Sequence, residues 1–253
     1  MKLGKLAKEL EILLNIEDFR ENDVSLNGLQ VGDTEAEVKK VAFAVDACLE
    51  SFEEAAKLKA DLLFVHHGLF WGSPLAVTGS HYRRIKTLLD GGVGLFACHL
   101  PLDAHPLLGN NAQMALKLGL EHTEAFVQYH GKKIGWAGTL REALTCEQII
   151  EKLGIRTDAH NVIIRGGKEK NSSVGIVSGG AALDVDQAMD LGLDAYITGE
   201  NSHQTYHPCM ERGINMLCLG HYETETFGVK AVMRYVSEHY GLETCFIDIP
   251  TTL

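Results

Sequence analysis

The chain has 253 residues, 45% of them hydrophobic and 23% charged, which is typical of globular proteins with a large buried core. Its formal net charge is −11 and no block of five or six like charges occurs, which disfavours nucleic-acid binding. A local basic groove is still compatible with this composition. The sequence has no apolar run near the roughly 20 residues that span a bilayer, and its six cysteines lack C-x-x-C spacing. We expect a reduced cytoplasmic protein whose partners are small molecules or other proteins.

The N-terminal segment predicts an amphipathic helix. Apolar residues recur there at helical spacing among charged ones, namely Leu3, Leu6, Leu10, Leu13 and Leu14. The segment lacks the uninterrupted apolar stretch and small-residue cleavage site of a signal peptide. We therefore expect it to be part of the folded protein.

An internal duplication organises much of the chain. Residues 41–68, VAFAVDACLESFEEAAKLKADLLFVHHG, align without gaps on residues 174–201, VGIVSGGAALDVDQAMDLGLDAYITGEN. Each copy predicts a strand, a helix and a second strand. The identical pairs are Val41/Val174, Ala55/Ala188, Leu58/Leu191 and Asp61/Asp194. The match therefore depends on pattern more than on identity.

The two copies resume further along the chain. GLFACHLPLD (residues 94–103) and MLCLGHYETE (residues 216–225) both run from an apolar strand into H-x-x-x-[DE]. The duplication thus pairs His99 with His221, Asp103 with Glu225, and His67 with Glu200. Ligands of open α/β sheets bind outside the carboxyl ends of parallel strands. Two repeats facing each other across one shared site are therefore predicted.

The segment between the copies predicts further elements. GWAGTL reads as a strand or turn, CEQIIEKLG as a helix and NVIIR as a strand, and GGKEKNSS predicts an exposed turn.

Two adjacent histidines follow the apolar residues of LLFVHHG. Neighbouring residues of a strand point to opposite faces, so His66 and His67 serve one site only if the strand has ended, which Gly68 permits. A pair at a strand end suits two metal ions about 3.5 to 4 Å apart. Candidate ligands number more than one zinc ion needs: His66, His67, His99, Asp103, His221 and Glu225. The alternative is that each is an ordinary core or surface residue.

The surroundings of these candidates lead to three further expectations. Pro101 lies between His99 and Asp103, so we expect these two on a loop rather than on one helical face. His203 and His207 are possible rim residues of the site. Because the ligands follow strand ends, replacing His66 or Glu225 by alanine is expected to remove metal with little loss of fold.

Other catalytic motifs lack the context they need. GVGLFA resembles a dinucleotide fingerprint, but it follows a helix and enters a strand, which is the reverse of the required order. The sequence has no Walker A motif and no G-x-S-x-G motif. Cys98 lies in a predicted buried strand, where a reactive thiolate is disfavoured.

Several segments resemble the GTP cyclohydrolase I type 2 homologue family, also described as NIF-three-like dinuclear-metal-centre proteins. They are NGLQVG (27–32), LLFVHHGLFW (62–71), HLPLDAHPLLGNNAQMA (99–115), TGENSHQTYH (198–207) and GHYETE (220–225). These segments are spread over essentially the whole chain. The combination of HHG, HxPxD and GHxxxE is specific to that family.

The resemblance implies an α/β fold of two intertwined repeats with mixed β-sheets flanked by helices, here residues 1–125 and 126–253, sharing one metal site. It implies two divalent ions per chain, held by His66, His67, Asp103, His221 and Glu225. The resemblance places His99 next to these ligands, where it either orients a ligand or transfers protons. It also implies a ring-shaped homohexamer.

The expected function is that of a metal-dependent hydrolase. Two divalent ions activate water for attack on carbon or phosphorus, and His99, Glu200 or Glu223 moves the proton. The family name suggests opening of a purine nucleotide ring, as in GTP cyclohydrolase chemistry. The alternative is a non-enzymatic metal-binding regulatory or scaffold protein that binds a protein or a nucleic acid. Nitrogen and oxygen ligands accept zinc, iron or manganese, so the sequence leaves the metal open.

Overall fold

The computed structural model describes residues 1–155 and 161–251. These residues form two compact units. The first comprises Met1–Leu102 and Val229–Ile249, and the second comprises Asp103–Gly228 and the chain end from Pro250. The chain thus enters the second unit at Asp103 and returns to the first at Val229. The predicted division into two sequence repeats, with its boundary between residues 125 and 126, differs from this division into compact units. It stays a prediction.

The α-helices are distributed over both units. In chain order they are α1 (Leu3–Leu13), α2 (Leu49–Lys57), α3 (Gly79–Gly91), α4 (Leu100–Ala104), α5 (Asn110–Leu118), α6 (Cys146–Leu153), α7 (Val185–Asp190), α8 (Tyr206–Arg212) and α9 (His221–Tyr240). The predicted N-terminal helix is confirmed as α1, which buries Leu3, Leu6 and Leu10.

The strands occur singly or in consecutive pairs along the chain. They are β1 (Gly28–Val31), β2 (Lys40–Asp46), β3 (Leu62–His67), β4 (Gly94–Ala97), β5 (Leu120–Tyr129), β6 (Lys132–Leu144), β7 (Val162–Arg165), β8 (Asn171–Ile176), β9 (Ala195–Thr198), β10 (Asn215–Cys218) and β11 (Glu243–Phe246). GWAGTL, predicted as a strand or a turn, belongs to strand β6, and the predicted helix in CEQIIEKLG and strand in NVIIR are confirmed as α6 and β7.

The first unit contains a mixed sheet with the order β1-β4-β3-β2-β11. Strands β2, β3, β4 and β11 run parallel, and β1 pairs antiparallel with β4 at one edge. Strand β3 is buried over almost its whole length, as expected for a strand covered on both faces. On one face, Phe52 of α2 and Leu88 of α3 join the apolar core under the sheet.

The second unit contains a mixed sheet with the order β5-β6-β8-β9-β10-β7. Its centre is parallel from β8 to β10, and β7 pairs antiparallel at one edge. Helices α5 and α6 supply Met114, Leu118, Ile149 and Leu153 to its core. A mixed α/β fold with helix-flanked mixed sheets is therefore confirmed.

The strand–helix–strand pattern predicted for each copy is also confirmed. Strand β2 pairs parallel with β3, and β8 pairs parallel with β9. The repeated aspartates explain part of the match. Asp61 Oδ2 accepts hydrogen bonds from the backbone N–H groups of Lys39 and Lys40, and Asp194 Oδ2 accepts them from Ser172 and Ser173. The aspartate follows its donors by the same number of residues in both copies. The same contact therefore holds the start of the first strand, β2 or β8, in each copy.

Two local expectations are wrong. His99 and Asp103 were predicted to share a loop, but α4 begins at Leu100 and contains Asp103. Pro101 is compatible with it because proline is tolerated in the first turn of a helix, where its missing N–H would have no helical partner. The predicted turn GGKEKNSS is shorter than expected, since Asn171 already belongs to β8.

Strand β5 was not predicted. Its residues are mostly exposed, and its pairing with β6 shifts between Glu121 and Glu124. His122 and Val127 have positive φ values of 52° and 56°. Such irregularities interrupt the alternation of apolar and polar residues from which a strand is recognised.

In the described part of the chain, every helix is too short or too polar to cross a membrane. All six cysteines lie in this part and are free thiols.

Candidate metal centre

The predicted histidines of the first unit meet at one edge of its sheet. The parallel strands β2, β3 and β4 end at Asp46, His67 and Ala97. His66 and His67 close β3, and His99 follows β4 by two residues. One ring nitrogen from each of these three histidines lies within 4.8 Å of the others. These histidines therefore lie at the carboxyl edge of the sheet, as predicted, and the binding of a ligand there stays a prediction.

Both adjacent histidines have a fixed ring orientation. His66 Nδ1 lies 2.9 Å from the carbonyl oxygen of Cys98, and His67 Nδ1 lies 2.8 Å from Asp46 Oδ1. A carbonyl or carboxylate oxygen accepts a hydrogen bond, so Nδ1 donates it and Nε2 carries the lone pair of the neutral ring. This is the usual arrangement of a metal-binding histidine, whose second nitrogen is held by an oxygen.

The strand does not end before these histidines, contrary to expectation. Both belong to β3, and His67 still pairs with Asp46 of β2. Their ring centroids nevertheless lie 4.7 Å apart. The two rings are held by different neighbours, His66 by the residue after β4 and His67 by the end of β2, and both reach the same edge.

His99 is held by two side chains that the sequence analysis did not single out. Its Nδ1 lies 3.0 Å from Asp23 Oδ1, and its backbone N–H donates to Asn27 Oδ1 at 2.7 Å. Asp46 could have been found, because it follows the predicted strand VAFAV at the same edge. Asp23 lies in an irregular segment, where no periodicity indicates its position.

The second unit repeats this edge with different side chains. Parallel strands β8, β9 and β10 end at Ile176, Thr198 and Cys218. Glu200 follows β9 by two residues, His221 begins α9, and Glu225 lies one turn further along that helix. His221 Nδ1 lies 2.6 Å from Glu200 Oε1, and its Nε2 lies 3.0 Å from Glu225 Oε1. The structure therefore brings these three predicted residues together.

The imidazole of His221 carries a proton when no ion is bound. Burial lowers the pKa of His221, but hydrogen bonds and charge from Glu225 and Glu200 outweigh it and raise that pKa to about 9. His221 and Glu225 would hold a divalent ion only after His221 has lost this proton, because coordination requires the neutral ring.

Asp103 is positioned by hydrogen bonds within the second unit. Its Oδ1 accepts from Asn110 Nδ2 and from Ser178 Oγ, both at 2.9 Å. Ser178 follows strand β8, so Asp103 belongs to the same edge as Glu200 and His221. Its side chain is buried.

Two glycines make room for the carboxylate and the imidazole. A Cβ atom on Gly179, whose φ is 69°, would lie 2.3 Å from Glu225 Oε1. A Cβ on Gly199 would lie 2.7 Å from the Cα of His221. The imidazole and carboxylate groups suit zinc, iron or manganese, and the two glycines leave the space that the Glu225 carboxylate and the His221 backbone occupy. The residues therefore fit divalent ions.

The burial of these groups contradicts one expectation. His66 is 0% exposed, Glu225 3% and Asp103 6%. Alanine in place of His66 or Glu225 therefore leaves a buried void as well as removing a ligand, and some loss of stability must accompany it. His67 and His221 are half-buried and make cleaner targets.

The remaining predicted residues lie outside these groups. His203 and His207 are exposed, in a 3₁₀ turn and in α8, and belong to no metal-compatible cluster of the residues the structure describes. Glu223 lies in the first turn of α9. Proton transfer by Glu200 or Glu223 stays a prediction.

The fold and these side chains define a class of α/β protein with histidines and carboxylates at the carboxyl edges of two mixed sheets. The chain belongs to the Duf34/NIF3 (NGG1p interacting factor 3) family, whose model matches residues 1–252. It is 46% identical over 253 residues to the "GTP cyclohydrolase 1 type 2 homolog" of Archaeoglobus fulgidus, with 100% of both chains covered.

Solved structures agree with this assignment. TTHA1606 from Thermus thermophilus has a TM-score of 0.88 and 38% identity, with 100% of both chains covered. Reduced HcgD from Methanocaldococcus jannaschii has a TM-score of 0.85 and 25% identity, with 98% of both chains covered.

Proposed function

We propose that the chain is a metal-dependent hydrolase with a dinuclear centre. The observation that carries this proposal is the way its histidines are held. The Nδ1 atoms of His66, His67 and His221 each face an oxygen acceptor, which directs Nε2 of each ring to ligand binding.

The proposed ligands are His66, His67, Asp103, His221 and Glu225. The first two belong to the first unit and the other three to the second. Five imidazole and carboxylate groups exceed the needs of one ion, so we propose that they hold two divalent ions of zinc, iron or manganese.

Two divalent ions at such a centre supply activated water and stabilise charge that develops on the substrate. The chain supplies orientation and proton transfer. Asp46 and Glu200 hold the Nδ1 atoms of His67 and His221. His99, with its ring beside His66, accepts the proton released from water. Glu200 is half exposed and is the second candidate for that transfer.

The substrate proposed is a purine nucleotide whose ring is opened by water. Its support is the name shared by several relatives, "GTP cyclohydrolase 1 type 2 homolog". The protein loaded with each metal should hydrolyse GTP or a related nucleotide, measured by product chromatography over a panel of nucleotides, phosphoesters and amides. His99→Gln should lower turnover about 100-fold, as for loss of a general base, while exposed His207→Gln should not.

A second candidate is a non-enzymatic metal-binding regulatory or scaffold protein. The family description "NGG1p interacting factor 3" favours it, because it describes a binding role for that protein. Absence of turnover over the whole panel, together with tight binding of a protein or nucleic-acid partner, would decide for this alternative. The net charge of −11 makes a protein the favoured partner.

We also propose a toroidal homohexamer in the cytoplasm. Light scattering should give a mass near six times 27.7 kDa. Unchanged mass over a hundredfold dilution would distinguish a stable ring from weak association. A monomer would contradict the proposal.

A further inference from the structure

Asp23 is a buried charge with an unusual number of donors around it. Its side chain is only 1% exposed. Its Oδ1 accepts from the backbone N–H of Ser25 at 2.9 Å, and its Oδ2 accepts from the backbone N–H of Leu100 at 3.0 Å and from Asn27 Nδ2 at 2.9 Å. His99 Nδ1 is the fourth donor, 3.0 Å from Oδ1. The two backbone N–H groups and Asn27 Nδ2 can only donate, which favours the ionised carboxylate, and an ionised carboxylate accepts from His99 Nδ1.

The electrostatics agree with this geometry. Burial raises the pKa of Asp23, but hydrogen bonds from His99, Asn27 and Ser25 outweigh it and hold that pKa below its usual range. A buried carboxylate with its lone pairs used in this way cannot turn without breaking several hydrogen bonds. It therefore forms a rigid support for whatever side chain it contacts.

The side chain whose orientation Asp23 fixes is that of His99. Asn27 Oδ1 accepts a hydrogen bond from the backbone N–H of His99, and Asn27 Nδ2 donates one to Asp23. The backbone of His99 is thus held by Asn27, and its ring is held by Asp23. The ring is 22% exposed, with Trp71 at 4.9 Å and His66 at 5.2 Å between centroids. His99 is thus accessible to substrate, unlike the fully buried His66.

The three histidines of this edge differ in what holds Nδ1. His66 has a neutral carbonyl oxygen and His67 has Asp46, whose side chain is 37% exposed. His99 has a carboxylate removed from solvent. A buried carboxylate held by several other donors cannot turn away from the ring, so it fixes one tautomer more firmly than an exposed or neutral partner does. The partner of His99 is therefore the one suited to positioning a ring.

We propose that Asp23 is a positioning residue that fixes His99 in the Nδ1–H tautomer, with Nε2 presented at the sheet edge as the proton acceptor. The tautomer rests on the contacts of Asp23 alone, whereas the use of Nε2 as a base rests on the hydrolase function proposed above. Asp23 acts only through His99 and does not touch the reacting atoms.

The tautomer is tested directly in the metal-free wild-type protein. Nitrogen-15 NMR of the imidazoles, with the His99 signals identified by their loss in His99→Gln, should show a proton on Nδ1 and a lone pair on Nε2. A proton on Nε2, or an average of both tautomers, would overturn the proposal. This result does not depend on turnover, so it separates a failure of the tautomer from a failure of the hydrolase function.

Asp23→Asn tests the positioning. The asparagine amide can donate its N–H group to His99 Nδ1, which then has to accept. The ring proton should therefore move to Nε2, and the His99 signals should move toward those of the Nε2–H tautomer. If the loaded wild-type protein has turnover, this variant should lose about 100-fold of it while keeping its bound metal. Asp46→Asn is the matched control, since it should leave the His99 tautomer unchanged. Unchanged His99 signals in folded Asp23→Asn would refute the role, and if that variant does not fold, the wild-type tautomer alone decides.

Discussion

Purified His221→Ala protein is expected to contain neither divalent ion, whereas the wild-type chain is expected to hold about two. His221 contributes Nε2 beside the Glu225 carboxylate, and Glu200 holds its other nitrogen. If the two ions are adjacent, as in hydrolytic dinuclear centres, removal of His221 weakens the binding of both. Elemental analysis of dialysed protein measures the content, and thermal unfolding shows whether the variant is folded.

The matched control is His207→Ala, which removes an exposed histidine of α8 and should keep about two ions per chain. Loss of a single ion from His221→Ala would indicate that the two ions bind independently. Spin coupling in manganese-loaded protein gives an independent measurement. A metal-to-metal distance well beyond about 5 Å would contradict a shared centre.

Replacing Asp194 with alanine should lower the free energy of unfolding by about 1–3 kcal/mol. The substitution leaves the backbone N–H groups of Ser172 and Ser173 without their carboxylate acceptor and breaks the contact with Lys168. Asp61→Ala should have a similar effect in the first unit, because Asp61 binds the backbone at the start of β2 in the same way. Chemical denaturation measures both. Glu169→Ala, at an exposed position, is the control and should change stability by less than about 0.5 kcal/mol.

The effect of Asp194→Ala should also depend on pH. Burial raises the pKa of Asp194, but hydrogen bonds from Lys168, Ser172 and Ser173 outweigh it and lower that pKa below its usual value. A lowered pKa in the folded state means that the ionised carboxylate contributes stability above the unfolded value of about 3.9. This contribution is lost as pH falls through the folded pKa. The difference between wild type and variant should therefore shrink in acid, and a constant difference down to about pH 2 would contradict the explanation.

The sequence by itself determined the repeated units and the edge at which the site forms. The apolar periods of residues 41–68 and 174–201 predicted parallel strand pairs, which the structure has as β2–β3 and β8–β9. Such patterns are local, since each depends on residues close together along the chain. The rule that ligands bind at the carboxyl ends of parallel strands then placed His67, His99 and His221 without knowledge of the packing.

The tertiary structure decided what surrounds each of these side chains. Asp23 lies 76 residues from His99, and no pattern in the chain connects them. The sequence shows that both copies have an aspartate, Asp61 or Asp194, at the same position. The reason lies in the fold, since each carboxylate accepts hydrogen bonds from backbone N–H groups 21 and 22 residues earlier in the chain. Burial of His66 and Glu225 likewise followed only from the fold. Hydrogen bonds and burial are set by distance in space, so side chains far apart in sequence meet only once strands and helices have packed.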